Sequence, residues 1–182
     1  MEFEATTLPG VYLITPKVFG DERGFFMESW NADVFANAGF DMHFMQDNHS
    51  RSARGILRGL HYQTRHTQGK LVRVSAGSVY DVAVDLRRDS PTLGQHYGVV
   101  LDAQSHRMLW IPPGFAHGFY VTSDYADFQY KCTDRYDPDS EISIAWDDPD
   151  LAIDWPVPEG EMPSLSAKDQ QGVKFCDAPL LR

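Results

Sequence analysis

The feature that most restricts the fold of this chain is a succession of short strand-like segments with little chain between them. Residues 70–87 (KLVRVSAGSVYDVAVDLR) hold two alternating β-branched runs divided by Ala76 and Gly77, which predicts a β-hairpin. The connections are too short for crossover helices, so the pattern predicts an all-β antiparallel sandwich or barrel. The other strand-like segments are GVYLITPKVF, GFFMESW, GQHYGVVLDA, RMLWIPP, GFYVTS, ADFQYKCT and EISIAW.

Helical signal is sparse by comparison. Residues 31–39 (NADVFANAG) predict one short helix, and the residues after Ser164 predict further short turns. A chain of 182 residues is long enough to bury a core as one domain, and neither a low-complexity linker nor an internal repeat divides it. We therefore expect a single domain over residues 1–182.

Charge and cysteine content restrict the partners and the compartment. The formal net charge of −10 argues against binding to nucleic acid or to an anionic membrane. The start MEFEATTLPG lacks the basic and apolar regions of a signal peptide, and no apolar run is long enough to span a bilayer. Cys132 and Cys176 lie far apart in the sequence. We expect a soluble, cytoplasmic protein.

One basic segment stands out in this acidic chain. No acidic residue lies between Asp47 and Asp81. At the centre of the segment, residues 55–63 (GILRGLHYQ) place an arginine, a histidine and a glutamine among apolar residues. The pattern predicts a local pocket for an anion, with a solvated basic face as the alternative. The basic residues of the segment are Arg51, Arg54, Arg58, Arg65, Lys70 and Arg73.

The spacing of Arg58 and His61 carries a structural prediction of its own. The two residues differ in parity, so a regular strand would send their side chains to opposite faces. If both serve one pocket, the strand must bulge or twist near Gly59, where a glycine makes this easy. An outward Arg58 with an inward His61 is the alternative.

Two of the seven histidines occupy distinctive positions. His61 lies in the basic segment, and His117 follows a Pro-Pro-Gly turn in residues 110–121 (WIPPGFAHGFYV), where a loop can present a side chain. The remaining histidines have polar neighbours and are assigned surface or structural roles. They are His43, His49, His66, His96 and His106.

The segment around His117 resembles the second motif of cupins, small β-barrels that often bind a metal. In the corresponding first motif, GLHYQTRHTQGK, Gln63 stands where a second histidine is usual, and no carboxylate follows before Asp81. Two of the four usual ligands are absent, and the charge of Lys70 would repel a cation. We expect no metal and no cofactor, and a metal-dependent cupin enzyme stays open as an alternative.

Eight short segments carry a wider resemblance that covers nearly the whole chain. In order they are GDERGFFMESW (20–30), QDNHS (46–50), GILRGLHYQ (55–63), QGKLVRV (68–74), DVAVDLR (81–87), IPPGFAHGF (111–119), YKCTDRY (130–136) and LSAKD (165–169). Together they resemble the dTDP-4-dehydrorhamnose 3,5-epimerase family.

The resemblance implies a cupin-like antiparallel sandwich or barrel of the jelly-roll type, with a few short helices. It implies a dTDP-sugar substrate, dTDP-4-dehydro-6-deoxy-D-glucose, inverted at C3 and C5 to give dTDP-4-dehydro-L-rhamnose in dTDP-L-rhamnose biosynthesis. It also implies a homodimer in which residues 1–30, approximately, are exchanged with the partner. Inversion at C3 or C5 alone, on a related dTDP-4-keto sugar, is the alternative.

The same resemblance implies four catalytic residues. His61 would be the base, Asp169 would hold its imidazole, Tyr130 would donate the proton and Lys70 would stabilise the enolate. From the residues alone, a helix-start cap is favoured for Asp169 and a core tyrosine for Tyr130, and a surface lysine is the alternative for Lys70. Alternation along residues 126–132 does predict an inward Tyr130.

Substrate-binding roles are likewise implied by the matching positions. Arg58 would bind the diphosphate, since a guanidinium suits bidentate contact with phosphate oxygens. His117 would contact the sugar and Tyr136 would stack on thymine. The remaining positions of this set are Arg23 and Lys168 near the diphosphate, Gln46, Asn48 and Glu141 as hydrogen-bonding groups, Asp47, and Glu28 in the segment that crosses to the partner.

Overall fold

Two antiparallel sheets pack face to face in the computed structural model, which describes residues 1–182. The strands are β1 Glu2–Ala5, β2 Tyr12–Thr15, β3 Val18–Asp21, β4 Gly24–Met27, β5 Gln46–Ala53, β6 Leu57–Gln63, β7 Lys70–Ala76, β8 Ser78–Asp85, β9 His96–Asp102, β10 Met108–Ile111, β11 Phe115–Val121, β12 Tyr125–Cys132 and β13 Glu141–Ser143. One sheet has the order β1-β2-β10-β7-β12-β5, the other β13-β6-β11-β8-β9, and β3 and β4 form a separate hairpin. The predicted all-β antiparallel class is confirmed.

The core lies between the sheets, where the inward-facing residues of both sheets meet. Val72, Val74, Phe119 and Phe128 belong to this inner cluster, and each is at most 5% exposed. Residues 144–182 cover the outer face of the five-stranded sheet. Apolar side chains of residues 30–44 cover part of the outer face of the six-stranded sheet. The polar residues described below occupy one end of the space between the sheets.

Short helical elements occur where the sequence predicts them. Helix α1 spans Ala32–Asn37, and the Asn31 side chain caps it by accepting hydrogen bonds from the backbone N–H groups of Asp33 and Val34. Two 3-10 turns follow Ser164, at Asp169–Gln171 and Phe175–Asp177. None of the helices has the length and apolar character needed to cross a membrane.

The predicted hairpin over residues 70–87 is wrong. Strand β7 pairs with β10 and β12 in the six-stranded sheet, whereas β8 pairs with β11 and β9 in the five-stranded sheet. The chain changes sheets at Gly77, whose φ is +75° and whose position leaves 1.9 Å between an added Cβ and the carbonyl oxygen of Tyr125. One tightly enclosed residue forms a corner between sheets, and this geometry differs from a two-residue hairpin turn.

The predicted bulge in β6 is confirmed. His61 pairs with His117, but Arg58 pairs with Phe119, so three steps on β6 face two on β11. The extra residue is Gly59, which has φ +123°. As a result Arg58 and His61 both face the other sheet, while the leucines beside them, Leu57 and Leu60, pack on the outer face.

Candidate active site

His61 and Asp169 form a hydrogen-bonded pair at the open end of the space between the sheets. Nε2 of His61 lies 2.5 Å from Oδ1 of Asp169, and Ser166 donates its hydroxyl to Oδ2 at 2.7 Å. Burial would raise the pKa of Asp169, but the hydrogen bonds from His61, Ser166 and the Gly59 backbone leave it below its ordinary value. The carboxylate therefore accepts Nε2–H, which leaves Nδ1 of His61 free to take a proton.

Tyr130 faces His61 from the opposite sheet. Strand β12 alternates as predicted, so Phe128, Tyr130 and Cys132 point inward and Lys131 points outward. Burial, with smaller contributions from Cys132 and Glu141, raises the pKa of Tyr130. The phenol therefore stays protonated at neutral pH, as a proton donor must.

Arg58 reaches into the same space from β6. Its Nε donates to the hydroxyl of Ser52 at 3.0 Å, and Ser52 is a buried residue of the opposite sheet. The charge of Arg58 also opposes the rise in the Tyr130 pKa. Arg58 therefore presents a positive charge beside the His61–Tyr130 gap.

Lys70 begins β7 and lines the same pocket as His61 and Tyr130. Burial lowers the pKa of Lys70, while the nearby acidic groups, Cys132, Glu141 and Asp81, oppose this fall.

A second histidine–carboxylate pair lies deeper between the sheets. Nε2 of His117 lies 2.9 and 3.1 Å from the two carboxylate oxygens of Asp81.

Glu141 organises the mouth of the pocket. Its Oε2 accepts hydrogen bonds from the Tyr136 hydroxyl at 2.6 Å and from the Lys168 ammonium group. Burial would raise the pKa of Glu141, but these two hydrogen bonds leave it lowered. The same contact raises the pKa of Tyr136 to about 12. The Tyr136 ring is half exposed and is available for stacking.

Gln46 and Asn48 connect the mouth to the inner wall. Gln46 accepts from the Tyr136 backbone N–H at 3.0 Å and donates to the Asn48 side chain at 2.9 Å. Asn48 in turn donates to Sγ of Cys132 at 3.5 Å. The pocket combines a base held by a carboxylate, an opposing acid, three cations and an aromatic ring at the entrance. This arrangement suits proton transfer on an anionic ligand that carries an aromatic group.

Comparison with known proteins decides the family. The sequence profile of the dTDP-4-dehydrorhamnose 3,5-epimerases matches residues 5–177. This chain belongs to the dTDP-4-dehydrorhamnose 3,5-epimerase family. The resemblance noted in the sequence is thereby confirmed. The epimerase of that name from Pseudomonas aeruginosa is 57% identical to this chain over 179 residues, which are 98% of each protein.

Solved structures of this epimerase family share the fold. The dTDP-6-deoxy-D-glucose-3,5-epimerase of Legionella pneumophila, in complex with dTDP-4-keto-L-rhamnose, matches with a TM-score of 0.96 and 52% identity, covering 100% of this chain and 97% of that one. A 3'-monoepimerase of Streptomyces bikiniensis, in complex with dTDP-quinovose, matches with a TM-score of 0.88 and 32% identity, covering 95% and 87%. The expected cupin-like fold is confirmed.

Three of the residues assigned from the epimerase resemblance lie outside this pocket. Asp47 faces the outer side of its sheet, where Lys131 donates to both of its oxygens at 2.9 Å, because it alternates with the inward Gln46 and Asn48. Arg23 lies in the exposed β3–β4 hairpin and pairs with Asp21. Glu28 follows that hairpin and accepts from Asn31 at 2.9 Å.

Gln63, at the position where many cupins have a metal-binding histidine, has a different use in this chain. It is 4% exposed, and its amide nitrogen donates to the carbonyl groups of His66 at 2.7 Å and Arg135 at 3.1 Å. Its oxygen accepts from the Asp137 N–H at 3.0 Å. Gln63 thus joins the two loops on either side of Tyr136. The chain has no cluster of three or more potential metal ligands.

Two residues that support the histidines, Ser166 and Asp81, were not predicted from the sequence. Ser166 holds the second oxygen of Asp169, and its place three residues before Asp169 was the available signal, since this is a capping distance. Asp81 holds His117, and nothing local in the sequence links the two. The pairing of β8 with β11 brings them together.

Proposed function

We propose that this chain inverts C3 and C5 of dTDP-4-dehydro-6-deoxy-D-glucose to give dTDP-4-dehydro-L-rhamnose, as an isomerase of dTDP-L-rhamnose biosynthesis. Family membership supports the substrate and the reaction. The observation that carries the chemistry is His61, held by Asp169, on one sheet and facing Tyr130 on the other. A base and an acid on opposite sides of a bound sugar are what inversion requires.

Proton removal is the work of His61. Nδ1 takes the hydrogen of the carbon next to the C4 ketone as a proton, and the C–H electron pair moves to the ketone oxygen to form an enolate. The Lys70 ammonium stabilises the negative charge on that oxygen. Asp169 stabilises the imidazolium that forms and keeps its ring in place. H3 and H5 are axial on the same face of the substrate chair, so one base reaches both.

Proton return is the work of Tyr130. Its hydroxyl donates to the same carbon from the opposite face, the electron pair returns from oxygen to carbon, and the ketone is restored with inverted configuration. His61 now carries a proton and Tyr130 has lost one. Exchange with water must reset both groups before the second carbon reacts, so each inversion brings one solvent hydrogen into the product.

The nucleotide is held at the mouth of the pocket. Arg58 and Lys168 bind the diphosphate as cations, and Tyr136 stacks on thymine. Gln46, Asn48 and Glu141 make hydrogen bonds to the nucleotide or sugar, and His117 contacts the sugar ring. Asp47 points away from the pocket and has no place in this scheme.

The protein is proposed to act as a homodimer in the cytoplasm. Strand β1 pairs with β2, and β2 pairs with β10 of the same chain, so we propose that only the β3–β4 hairpin and the residues after it are exchanged between subunits. That hairpin exposes Phe19, Phe25 and Phe26 at 54–66%, and an exposed apolar surface of this kind suits a partner subunit. Arg23 and Glu28 would then line the partner's site. The unpaired cysteines suit a reducing compartment.

Mass spectrometry of the reaction in deuterium oxide tests the proposed function. The purified protein is incubated with dTDP-4-dehydro-6-deoxy-D-glucose, and the molecular mass of the sugar nucleotide is measured over time. A double epimerase adds two deuterium atoms to the sugar. Addition of one would show a mono-epimerase, and addition of none would refute the proposal.

A further inference from the structure

The second histidine–carboxylate pair of the barrel has a charge that nothing in direct contact balances. Asp81 is 0% exposed and His117 is 7% exposed, and both face inward from neighbouring strands. Both oxygens of Asp81 accept from Nε2 of His117, as a carboxylate does. Burial lowers the pKa of His117, although Asp81 opposes this fall. The imidazole is therefore neutral, and it holds the carboxylate without cancelling its charge.

Lys70 is a positive charge without a bonded acidic partner. It is half-buried and makes no direct ion pair with an acidic side chain. Glu141, the nearby carboxylate on β13, is already bonded to Lys168 and Tyr136. The charged and titratable groups that face this interior are Arg58 and His61 from β6, Lys70 from β7, Asp81 from β8, His117 from β11, Tyr130 and Cys132 from β12, Glu141 from β13, and Asp169 from the 3-10 turn.

A charge in a poorly hydrated interior needs an opposite charge nearby. Asp169 is bonded to His61 and Glu141 to Lys168, so Asp81 is the remaining carboxylate of the interior. Two cations there lack an acidic partner: Arg58 is exposed and bonded to the Ser52 hydroxyl, whereas Lys70 is half-buried and its ammonium group has no hydrogen-bond partner. We propose that Asp81 is a positioning residue of the epimerisation, held by His117 as the counter-charge that keeps Lys70 protonated beside the enolate oxygen. This inference rests on the proposed function and on the role assigned there to Lys70.

The pH dependence of kcat/KM separates this role from a structural one. Asp81→Asn keeps a hydrogen-bond acceptor for His117 and removes only the charge. Without the charge, Lys70 loses its proton more readily, so we expect the basic limb of the profile to move down by about one pH unit. At a pH on that limb, activity falls about tenfold. Asp81→Glu, which retains the charge, should restore the limb.

Two controls make the result specific. Asp127→Asn removes a carboxylate from the outer face of the six-stranded sheet and should leave the limb in place. In a Lys70→Arg background, where the cation cannot lose its proton, Asp81→Asn should no longer move it. A folded Asp81→Asn variant with the wild-type profile would overturn the inference. An inactive wild type would refute the proposed function instead.

A second measurement does not need the Asp81→Asn variant. Nitrogen NMR of the histidine rings in the wild-type protein reports the protonation of His117, assigned with a His117→Gln variant. We expect a neutral ring with the proton on Nε2 across the working pH range. An imidazolium at neutral pH would balance Asp81 by itself and would overturn the inference.

Discussion

At the scale of single residues, Asp169 determines what His61 can do. Its buried carboxylate holds Nε2 of His61, and Ser166 holds the carboxylate. Replacing Asp169 with Asn keeps the shape but removes the charge that stabilises the imidazolium. We expect kcat to fall by about two orders of magnitude, measured as the rate of product formation, with dTDP affinity unchanged. Ser166→Ala should cause a much smaller loss. Equal losses in both variants, or none in Asp169→Asn, would contradict the role.

Prediction from sequence at this scale depended on how local each role is. The inward face of Tyr130 followed from strand alternation, and the shared direction of Arg58 and His61 followed from a glycine between them. Asp169 was indistinguishable from a turn cap, because its contact with His61 spans 108 residues. The contact between Asp81 and His117 is likewise created by strand pairing, which one sequence does not display.

At the scale of elements, the bulge in β6 brings Arg58 and His61 to one face. An added Cβ at Gly59 would lie 2.5 Å from the Gly118 Cα. Gly59→Ala should therefore reduce the free energy of unfolding by about 3 kcal/mol, from backbone strain together with the clash, and should lower activity. Gly24 is the matched control, since it has φ +126° and open space around its Cβ position. Urea unfolding measures both. If Gly24→Ala lowered the free energy of unfolding as much as Gly59→Ala, the close packing at the bulge would be unimportant.

The turn after β8 depends on a buried carboxylate. Asp85 accepts from Arg87, Ser90 and Thr92. Burial would raise its pKa, but these hydrogen bonds lower it to about 2 from 3.8. A lowered folded-state pKa stabilises the protein above the unfolded pKa, and the contribution is lost as pH falls through the folded value.

Asp85→Asn should therefore cost about 2 kcal/mol of unfolding free energy at neutral pH. Because the contribution of Asp85 disappears in acid, the difference from wild type should shrink as the pH falls below about 4. Urea unfolding at several pH values measures this. A difference that stays constant down to about pH 2 would contradict the assignment of the lowered pKa.

Element prediction succeeded where side chains alternate between core and solvent. It missed β5 (Gln46–Ala53), which reads QDNHSRSA, because its inner face lines a polar pocket and its outer face is solvated. It also misjudged the Ala76–Gly77 break. Two adjacent strand patterns with a glycine between them fit a hairpin and a corner between sheets equally well, and only the packing at Gly77 decides.

At the scale of the whole molecule, the exposed β3–β4 hairpin makes the dimer testable. If Arg23 acts in the partner's site, then mixing an Arg23→Ala variant with a His61→Ala variant should form heterodimers with one intact site. We expect activity well above that of either variant alone after co-refolding, measured by product formation. Activity no higher than the sum of the two variants would contradict exchange of the hairpin. Native mass spectrometry checks that heterodimers formed.

In the proposed mechanism, His61 removes, and Tyr130 returns, the protons at both C3 and C5. Proton NMR of dTDP-4-dehydro-6-deoxy-D-glucose in deuterium oxide follows each position separately in the wild type, His61→Ala and Tyr130→Phe. We expect loss of both signals with inversion in the wild type, and no loss in His61→Ala. In Tyr130→Phe we expect exchange without efficient inversion. If His61→Ala exchanged the proton at either carbon at the wild-type rate, the role of His61 as the base would be contradicted.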